Sequence, residues 1–222
     1  MHSGSSFHLA DLADPAVVAR NLVEVYAPEM TARSLDGVDG LYLAARQHPG
    51  TLERIVPHVL AFLQRPGVKV FVDGENAVGT WLPGTGAERR GTAFWAWRTG
   101  EDLGRRSVNG DHPLWRQGYL SDQAVHWHYH GVLAPPPSAT PLVVLEPVPG
   151  ADPDRTDPWG EPYRALSDHP NVLLYHDAGT FPAEVVVSTM DATYHHGAGF
   201  MPGATQLFYR MLDWLATARA AG

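Results

Sequence analysis

Histidine recurs at every second position in one short stretch of this 222-residue sequence, AVHWHYHGVL. If the stretch is a β-strand, His126, His128 and His130 point to the same face, because alternate side chains of a strand do so. Residues two apart are then separated by roughly 6.5–7 Å along the strand, so neighbouring imidazoles could converge on one ion, as in three-histidine zinc sites. Asp111 and Asp122 are close enough in the sequence to orient the rings. The spacing therefore permits a divalent metal site, zinc above all, whereas a polar strand that faces solvent or a sugar is the favoured alternative.

A second pair of histidines follows an apolar run later in the chain, in the segment MDATYHHGAGFMPG. Adjacent residues of an extended segment point in opposite directions, so only one of His195 and His196 is expected to face a pocket. The GAG sequence permits close backbone approach, and ligands collect at the carboxyl ends of strands in open α/β sheets. Asp191, Tyr194 and His195 are therefore candidate site residues. The alternative is an ordinary loop after a strand, in which Asp191 binds backbone N–H groups.

Aromatic residues are frequent in the loop-rich middle of the chain. Indole rings pack against the C–H faces of sugars, so these side chains could form a platform for a carbohydrate, with core or rim packing as the alternative. In TAFWAWR, Trp95 and Trp97 would share one face of a predicted strand. The aromatic residues predicted to bind substrate are Trp81, Trp97, Tyr129 and Tyr194.

The overall composition excludes several classes of function. Lys and Arg number 16 against 24 Asp and Glu, a net charge of −8, and nucleic-acid binding is not expected without a basic patch. The chain has no cysteine, which excludes disulfides, thiolate metal sites and a cysteine nucleophile. No run reaches the ~18 apolar residues of a membrane span, and the first residues lack a signal-peptide pattern, so a soluble cytoplasmic protein is expected. A phosphate-binding glycine loop is missing, so a nucleotide cofactor is not expected.

Helix and strand patterns alternate through the first third of the chain. Apolar spacing predicts a helix over 12–26, with Asp14 as its N-cap. Strands are predicted over 39–45 and 68–74, with an amphipathic helix over 51–67 between them. This order indicates a βαβ unit and a parallel sheet covered by helices.

The remainder of the chain carries further strand patterns and a closing helix, all within one domain over residues 1–222. The strand patterns are TAFWAWR, AVHWHYHGVL, TPLVVLE, NVLLYHD and EVVVSTMD, and the helical one is ATQLFYRMLDWLATARA. Residues 149–169 are polar and rich in proline and aspartate, which predicts a surface excursion.

Three segments, taken in order, resemble a known family. They are AFLQRPGVKVFVDGEN, then GDHPLWRQGYLSDQAVHWHYHG followed by ATPLVVLE, and finally FPAEVVVSTMDATYHHG leading into MLDWLA. Their order resembles the class I glutamine amidotransferase-like superfamily and, within it, the ThuA-like (trehalose-utilisation-like) group. The resemblance implies a flavodoxin-like three-layer α/β sandwich with a mainly parallel central sheet.

The resemblance also implies a position for the site. Amidotransferases keep a nucleophilic cysteine in a sharp turn after a strand, and VDGENAVG places Gly74, Glu75 and Asn76 in that turn here. Without a thiol, glutamine hydrolysis through a thioester is excluded. Glu75 could act as a general acid or base, or Glu75 and Asn76 could only satisfy the backbone of the turn. His112 lies in a DHP loop stiffened by proline, which the resemblance brings near the same cleft unless it is a purely structural turn.

Three functions remain open from the sequence. The first is an enzyme or enzyme-like protein that binds or processes a carbohydrate or another small polar metabolite by hydrolase- or lyase-type chemistry. The second is a catalytically silent amidotransferase-like module that binds a ligand or assembles, for example as a homodimer. The third is a metal store or sensor that uses the alternating histidines. In the first case the site is expected at the carboxyl edge of the sheet, with His128 or His130 acting together with His195 and Asp191. The residues expected to converge there are Glu75, His112, His128, His130, Asp191 and His195, of which Glu75, His112, Asp191 and His195 are the candidate catalytic groups.

Overall fold

In the residues that the structure describes, eight strands form one mixed sheet with helices on both faces. The computed structural model describes residues 1–92, 95–152, 154–163 and 165–218, and not the side chain of Trp97. The strands are β1 Gly40–Leu43, β2 Lys69–Val72, β3 Gly86–Arg89, β4 Arg105–Ser107, β5 Gly131–Ala134, β6 Thr140–Leu145, β7 Val172–Asp177 and β8 Glu184–Ser188. The helices are α1 Ser6–Ala13, α2 Pro15–Val18, α3 Pro49–Leu63, α4 Ala96–Thr99, α5 Pro113–Arg116, α6 Asp122–Val125, α7 Ala192–Gly197 and α8 Pro202–Leu215. None of these helices is long and apolar enough to cross a membrane.

The predicted βαβ unit is confirmed. Strand β1 leads through α3 into β2, and the two strands pair in parallel from Gly40↔Lys69 to Leu43↔Val72. Strand β2 continues in parallel register with β8. The carboxyl ends of β1, β2 and β8 therefore lie at the same edge of the sheet.

Side-chain alternation along the central strands builds an apolar core on each face of the sheet. Val70 and Val72 pack in one buried cluster with residues of α3 such as Ile55, whereas Phe71 packs on the opposite face with residues of α8 such as Phe208. A strand buried on both faces is expected to be apolar throughout, as KVFV and EVVVS nearly are. The molecule thus has an open sheet between two helical layers.

The prediction of a mainly parallel sheet is wrong. The sheet runs β1-β2-β8-β7-β5-β3, with β6 paired to β7 and β4 to β6, and every pairing beyond β8 is antiparallel. Only residues 178–183 separate β7 from β8, and so short a connection cannot make the crossover that a parallel pair needs. The sheet is therefore mixed, with a parallel portion at one side.

Three predicted elements differ from the observed ones. The helix over 12–26 ends at Val18, although Asp14 is confirmed as an N-cap through Oδ1, which accepts from the N–H groups of Ala16 and Val17. Most of the predicted strand AVHWHYHGVL is not a strand, because Ser121 caps the short helix α6 and β5 begins only at Gly131. In TAFWAWR, residues 93 and 94 lie outside the described part, and Ala96–Thr99 form α4 instead of a strand.

A buried aspartate in α1 makes the stability of the fold depend on pH. Asp11 is 3% exposed, and neither carboxyl oxygen has a hydrogen-bond partner among the described residues. Burial, with the negative charges of Asp73 and Asp14, raises the pKa of Asp11 to about 9. The folded state therefore keeps a proton that the unfolded chain has released above pH ~4, and this residue lowers the free energy of unfolding as pH rises toward 9.

We expect Asp11→Asn to flatten this dependence, because an amide cannot ionise. Between pH 6 and pH 8 the wild-type protein should lose about 2–3 kcal/mol more of its free energy of unfolding than the variant does. Urea unfolding at the two pH values measures the difference, with the exposed Asp36→Asn as the control that should behave as wild type. Parallel pH profiles for Asp11→Asn and wild type would contradict a protonated Asp11.

Candidate metal centre

Four side chains of ligand type converge at the edge of the sheet where the parallel strands end. They are His128, His130, Asp191 and His195, and each offers one ligand atom within 4.8 Å of the others. The Nε2 atoms lie around Asp191 Oδ1, at 3.0 Å for His195, 3.2 Å for His130 and 3.7 Å for His128. The Nε2 atoms of His128 and His195 are 2.8 Å apart. These four residues, called the metal cluster below, could hold a metal ion.

The separations within the metal cluster are within about 0.6 Å of those expected for donors around one ion. Zinc bonds of about 2.0–2.2 Å to nitrogen and oxygen place tetrahedral ligands roughly 3.3–3.6 Å apart. The four separations given above, from 2.8 to 3.7 Å, lie on both sides of that range. Three imidazoles and a carboxylate suit zinc, iron, nickel or copper(II), whereas magnesium and calcium take oxygen ligands.

Asp191 and His195 are presented together by the short helix α7. The two residues are four apart, so their side chains lie on one face of a helical turn. Asp73, the residue after β2, anchors this helix by accepting through Oδ1 from the N–H of Ala192 (2.9 Å) and through Oδ2 from the N–H and hydroxyl of Thr193 (2.9 and 2.7 Å). The end of β2 thereby fixes the start of α7.

A glycine lets the ends of β2 and β8 approach closely. The N–H of Gly74 donates to the carbonyl of Met190 at 2.8 Å, and a Cβ on Gly74 would lie 2.5 Å from the carbonyl carbon of Met190. Since real Cβ atoms do not approach so closely, a larger residue would separate the two strand ends. Gly74 therefore sets the spacing between Asp73 and the helix that carries Asp191.

His128 and His130 reach the cluster from an irregular segment between α6 and β5. The N–H of His130 donates to the carbonyl of Thr189 at 3.2 Å, which ties the segment to the end of β8. Trp127 donates through Nε1 to the carbonyl of Ala124 (2.6 Å). Its ring packs edge-on against the ring of His195, with centroids 5.4 Å apart. These contacts replace the strand geometry predicted for the segment.

Arg46 determines which oxygen of Asp191 faces the histidines. Its Nε and Nη2 lie 2.9 and 2.8 Å from Asp191 Oδ2, and its guanidinium stacks 3.6 Å from the ring centroid of Tyr194. Oδ1 is left facing the three Nε2 atoms, and it accepts no hydrogen bond of good geometry from the described residues. A buried carboxylate oxygen without a hydrogen bond is costly, and a cation among the four donors would satisfy it.

Glu75 contacts both Arg46 and a histidine of the cluster. Its Oε2 is 2.5 Å from Arg46 Nε, and its Oε1 is 3.5 Å from Nδ1 of His130. A carboxylate beside the second nitrogen of a ligating imidazole fixes the orientation of that ring. The residue adopts a positive φ of 57° in the turn after β2, and the Nε1 of Trp81 holds this turn by donating to the carbonyl of Asn76 (2.7 Å).

The electrostatics of the cluster favour the metal-binding forms of Asp191 and His128, whereas His130 must give up a proton to bind a metal. Burial alone would raise the pKa of Asp191, but the adjacent imidazoles of His130 and His195 hold it far below its ordinary value. Burial, with the charge of His130, places the pKa of His128 well below that of a free imidazole. Burial also opposes the charged form of His130, but Asp191 and Glu75 outweigh it and raise the pKa of that ring. Near neutral pH the cluster thus contains a carboxylate and a neutral His128, the forms that bind metals.

A cleft of about 500 Å³ opens beside the cluster. Glu75 and His130 line it, together with the turn at 76–80 and parts of β3 and β5. The side chain of His130 is 25% exposed, whereas those of Asp191 and His195 are fully buried. A small molecule could therefore reach the cluster from the side of His130 and Glu75.

Two of the predicted histidines lie elsewhere. His126 is exposed, and its Nδ1 is 2.7 Å from Nη2 of Arg105, so the three alternate histidines do not form one row. Nε2 of His112 is 3.2 Å from Nδ1 of His176, which in turn contacts Glu184, the first residue of β8. Since Asp191 lies three residues beyond the last residue of β8, His112 lies toward the opposite edge of the sheet and does not join the cluster.

The aromatic residues predicted to bind substrate do not form a common platform in the described part. Trp81 holds the turn after β2, Tyr129 is 1% exposed within the core, and Tyr194 lies under Arg46. The side chain of Trp97 is outside the described residues.

Sequence reasoning did not identify Arg46 and Asp73, which hold Asp191 and helix α7 in place. It proposed Asp111 and Asp122 instead, and neither belongs to the metal cluster. Asp73 directly follows β2, and Arg46 lies three residues after the end of β1. The position of polar residues at the carboxyl ends of parallel strands was the available signal. Asp122, proposed to orient the histidine rings, instead accepts from the hydroxyl of Ser107 (2.5 Å), and Asp111 is exposed. Both proposals depended on sequence proximity alone.

Comparison of this chain with models of protein families, with curated proteins and with solved structures finds no match.

Proposed function

We propose that this protein binds a first-row transition metal ion, zinc as the first choice, through Nε2 of His128, His130 and His195 and Oδ1 of Asp191. The observation that carries the proposal is the buried Oδ1 atom, which accepts no good hydrogen bond and yet has three imidazole nitrogens within 3.7 Å. In a metal-free protein this oxygen would need a donor. A bound cation satisfies all four atoms at once.

We further propose that the ion serves a reaction of hydrolase or lyase type in the adjoining cleft. Such an ion polarises a substrate oxygen or lowers the pKa of a bound water. Glu75 reaches the cleft and contacts His130 through Nδ1, so it can orient that ligand and accept a proton from a group bound beside it. Arg46 holds Glu75 and Asp191 in fixed relation to each other.

The lining of the cleft supports a small, uncharged polar substrate, with a carbohydrate as the first candidate. Two carboxylates, Glu75 and Glu88, line it, and its one arginine, Arg89, is exposed beside Glu161. Carboxylates suit hydroxyl groups and disfavour anionic substrates. The resemblance to ThuA-like proteins points to the same substrate class.

Metal content of protein purified without an affinity tag tests the proposal, with two histidines of one segment as a matched pair. His130→Gln removes a partly exposed ligand, whereas His126→Gln removes an exposed histidine outside the cluster. We expect about one metal ion per wild-type or His126→Gln chain, and affinity reduced by at least about a hundredfold in His130→Gln, since loss of an outer partner alone costs 10–100-fold. Wild-type protein that binds no zinc, cobalt or iron at micromolar concentrations would contradict the proposal, as would equal affinities in the two variants.

A further inference from the structure

A second pocket is lined by Trp127 and by none of the four residues of the metal cluster. It has a volume of about 210 Å³, and its lining includes Gly100, Leu103, Arg105, His126, Trp127 and Tyr129. Ligand pockets for drug-sized molecules measure roughly 300–1,000 Å³, so this one admits only a small molecule. Trp127 contacts both sites, because its ring also packs against His195.

The positive charge of Arg105 in this pocket is not neutralised by direct contact with an acid. Arg105 donates to His126 Nδ1 at 2.7 Å and to the hydroxyl of Ser107 at 3.4 Å, both uncharged acceptors. Among the described residues, no carboxylate oxygen lies within the 4 Å of an ion pair with Arg105. The guanidinium therefore keeps unused capacity to bind an oxyanion.

Two carboxylates, those of Glu101 and Asp102, also line the pocket together with Arg106, and both are paired with other arginines. Asp102 accepts from both Nη atoms of Arg106, each at 2.8 Å. Glu101 pairs with Arg155, and Asp122 accepts from Ser107. Burial lowers the pKa of Arg105, only partly offset by the charges of Asp122 and Asp102, so an added negative charge would stabilise the guanidinium.

His126 adds a second donor to the pocket. Because its Nδ1 accepts from Arg105, the proton of the neutral ring is on Nε2. A guanidinium and an imidazole N–H beside apolar ring surfaces suit the acidic group of a small metabolite.

We infer that the pocket formed by Arg105, His126, Trp127 and Tyr129 binds a small oxyanion, a carboxylate or phosphate, through the guanidinium of Arg105. The anion is either a free ion or the acidic group of a small organic molecule that packs on the aromatic walls. Occupancy does not depend on the metal cluster, since none of the four ligands lines this pocket.

Calorimetric titration with inorganic phosphate, acetate and phenyl phosphate at constant ionic strength tests this inference. We expect saturable binding of at least one probe, weakened about tenfold or more in Arg105→Gln and weakened in His126→Gln, because charge-assisted hydrogen bonds are lost. Tighter binding of phenyl phosphate than of inorganic phosphate would assign the site to an organic acid, and the reverse to a free ion.

Two control variants separate this site from others. Arg116→Gln removes an exposed arginine outside the pocket and should bind as wild type. His130→Gln should lose metal and keep the anion, so failure of the metal proposal leaves this test intact. Absence of saturable binding of all three probes, or equal weakening in Arg105→Gln and Arg116→Gln, would overturn the inference.

Discussion

Asp191→Asn is expected to abolish metal binding while leaving the fold in place. Arg46 directs two N–H groups at Oδ2 of Asp191, and an asparagine has only one oxygen that can accept them. The amide oxygen should therefore turn to Arg46, which places the NH₂ group where Oδ1 faced the three histidines. An NH₂ group donates hydrogen bonds and does not ligate a metal, so the substitution both removes a ligand and blocks the cluster.

The expected loss of affinity exceeds about a hundredfold, since outer partners of a ligand already contribute 10–100-fold. Competition titration with zinc and a chelator measures it. The metal-free variant should still fold but be somewhat less stable in urea than metal-free wild type, because the lowered pKa of Asp191 means that the folded protein stabilises the charge that the amide lacks. Asp122→Asn, which changes an aspartate outside the cluster in the same way, should keep full affinity.

Two results would oppose this account. If Asp191→Asn kept wild-type affinity, Oδ1 would not be a ligand, and the histidines alone would have to account for any binding. If the metal-free variant were strongly destabilised, Asp191 would act mainly as an ion-pair partner of Arg46. The second outcome would favour a structural role for the cluster.

Local patterns were sufficient to predict the part of the fold that carries the site. The strands over 39–45 and 68–74 and the helix between them were readable because apolar periodicity and a short connection leave few alternatives. The rule that ligands collect at strand ends pointed to Asp191 and His195, whose Oδ1 and Nε2 lie 3.0 Å apart, whereas Glu75, which contacts His130, was singled out by the family resemblance. These residues lie close together because β1, β2 and β8 run in parallel, so that their carboxyl ends meet at one edge of the sheet.

Other features depend on contacts that no local pattern encodes. His126 and His130 have the same residue type and similar neighbours in the sequence, yet only His130 joins the cluster, because α6 and the contact with Arg105 turn His126 away. The helix α7 brings Asp191 and His195 together on successive turns, whereas residues four apart in an extended segment lie roughly 13 Å from each other. Neither the antiparallel half of the sheet nor the role of Arg46 could be deduced without the pairing of distant strands.

The aspartate after β2 illustrates how the fold and the site depend on the same contacts. Asp73 is fully buried and accepts from Thr193, Ala192, the hydroxyl of Tyr42 (3.1 Å) and its neighbour Gly74 (3.1 Å). Hydrogen bonds to a charged group contribute about 1.5–3 kcal/mol each, partly offset by the cost of burying the charge. Burial, only partly opposed by the hydrogen bonds from Thr193 and Ala192, raises the pKa of Asp73 to about 6.

We expect Asp73→Ala to lower the free energy of unfolding at pH 7 by at least about 3 kcal/mol, because several buried donors lose their acceptor. Urea unfolding of the metal-free protein measures this change, with the exposed Asp36→Ala as a control that should shift it by less than about 0.5 kcal/mol. Since the pKa of Asp73 is raised in the folded state, the free energy of unfolding of wild type should fall as pH rises from about 4 to 6, and the variant should lack this pH-dependent loss.

Metal affinity of Asp73→Ala should fall as well, because α7 no longer holds Asp191 and His195 in place. If the variant has wild-type stability but weakened metal binding, Asp73 positions the ligands without stabilising the fold. If stability and metal affinity are both unchanged, the proposed role of Asp73 in anchoring α7 is contradicted.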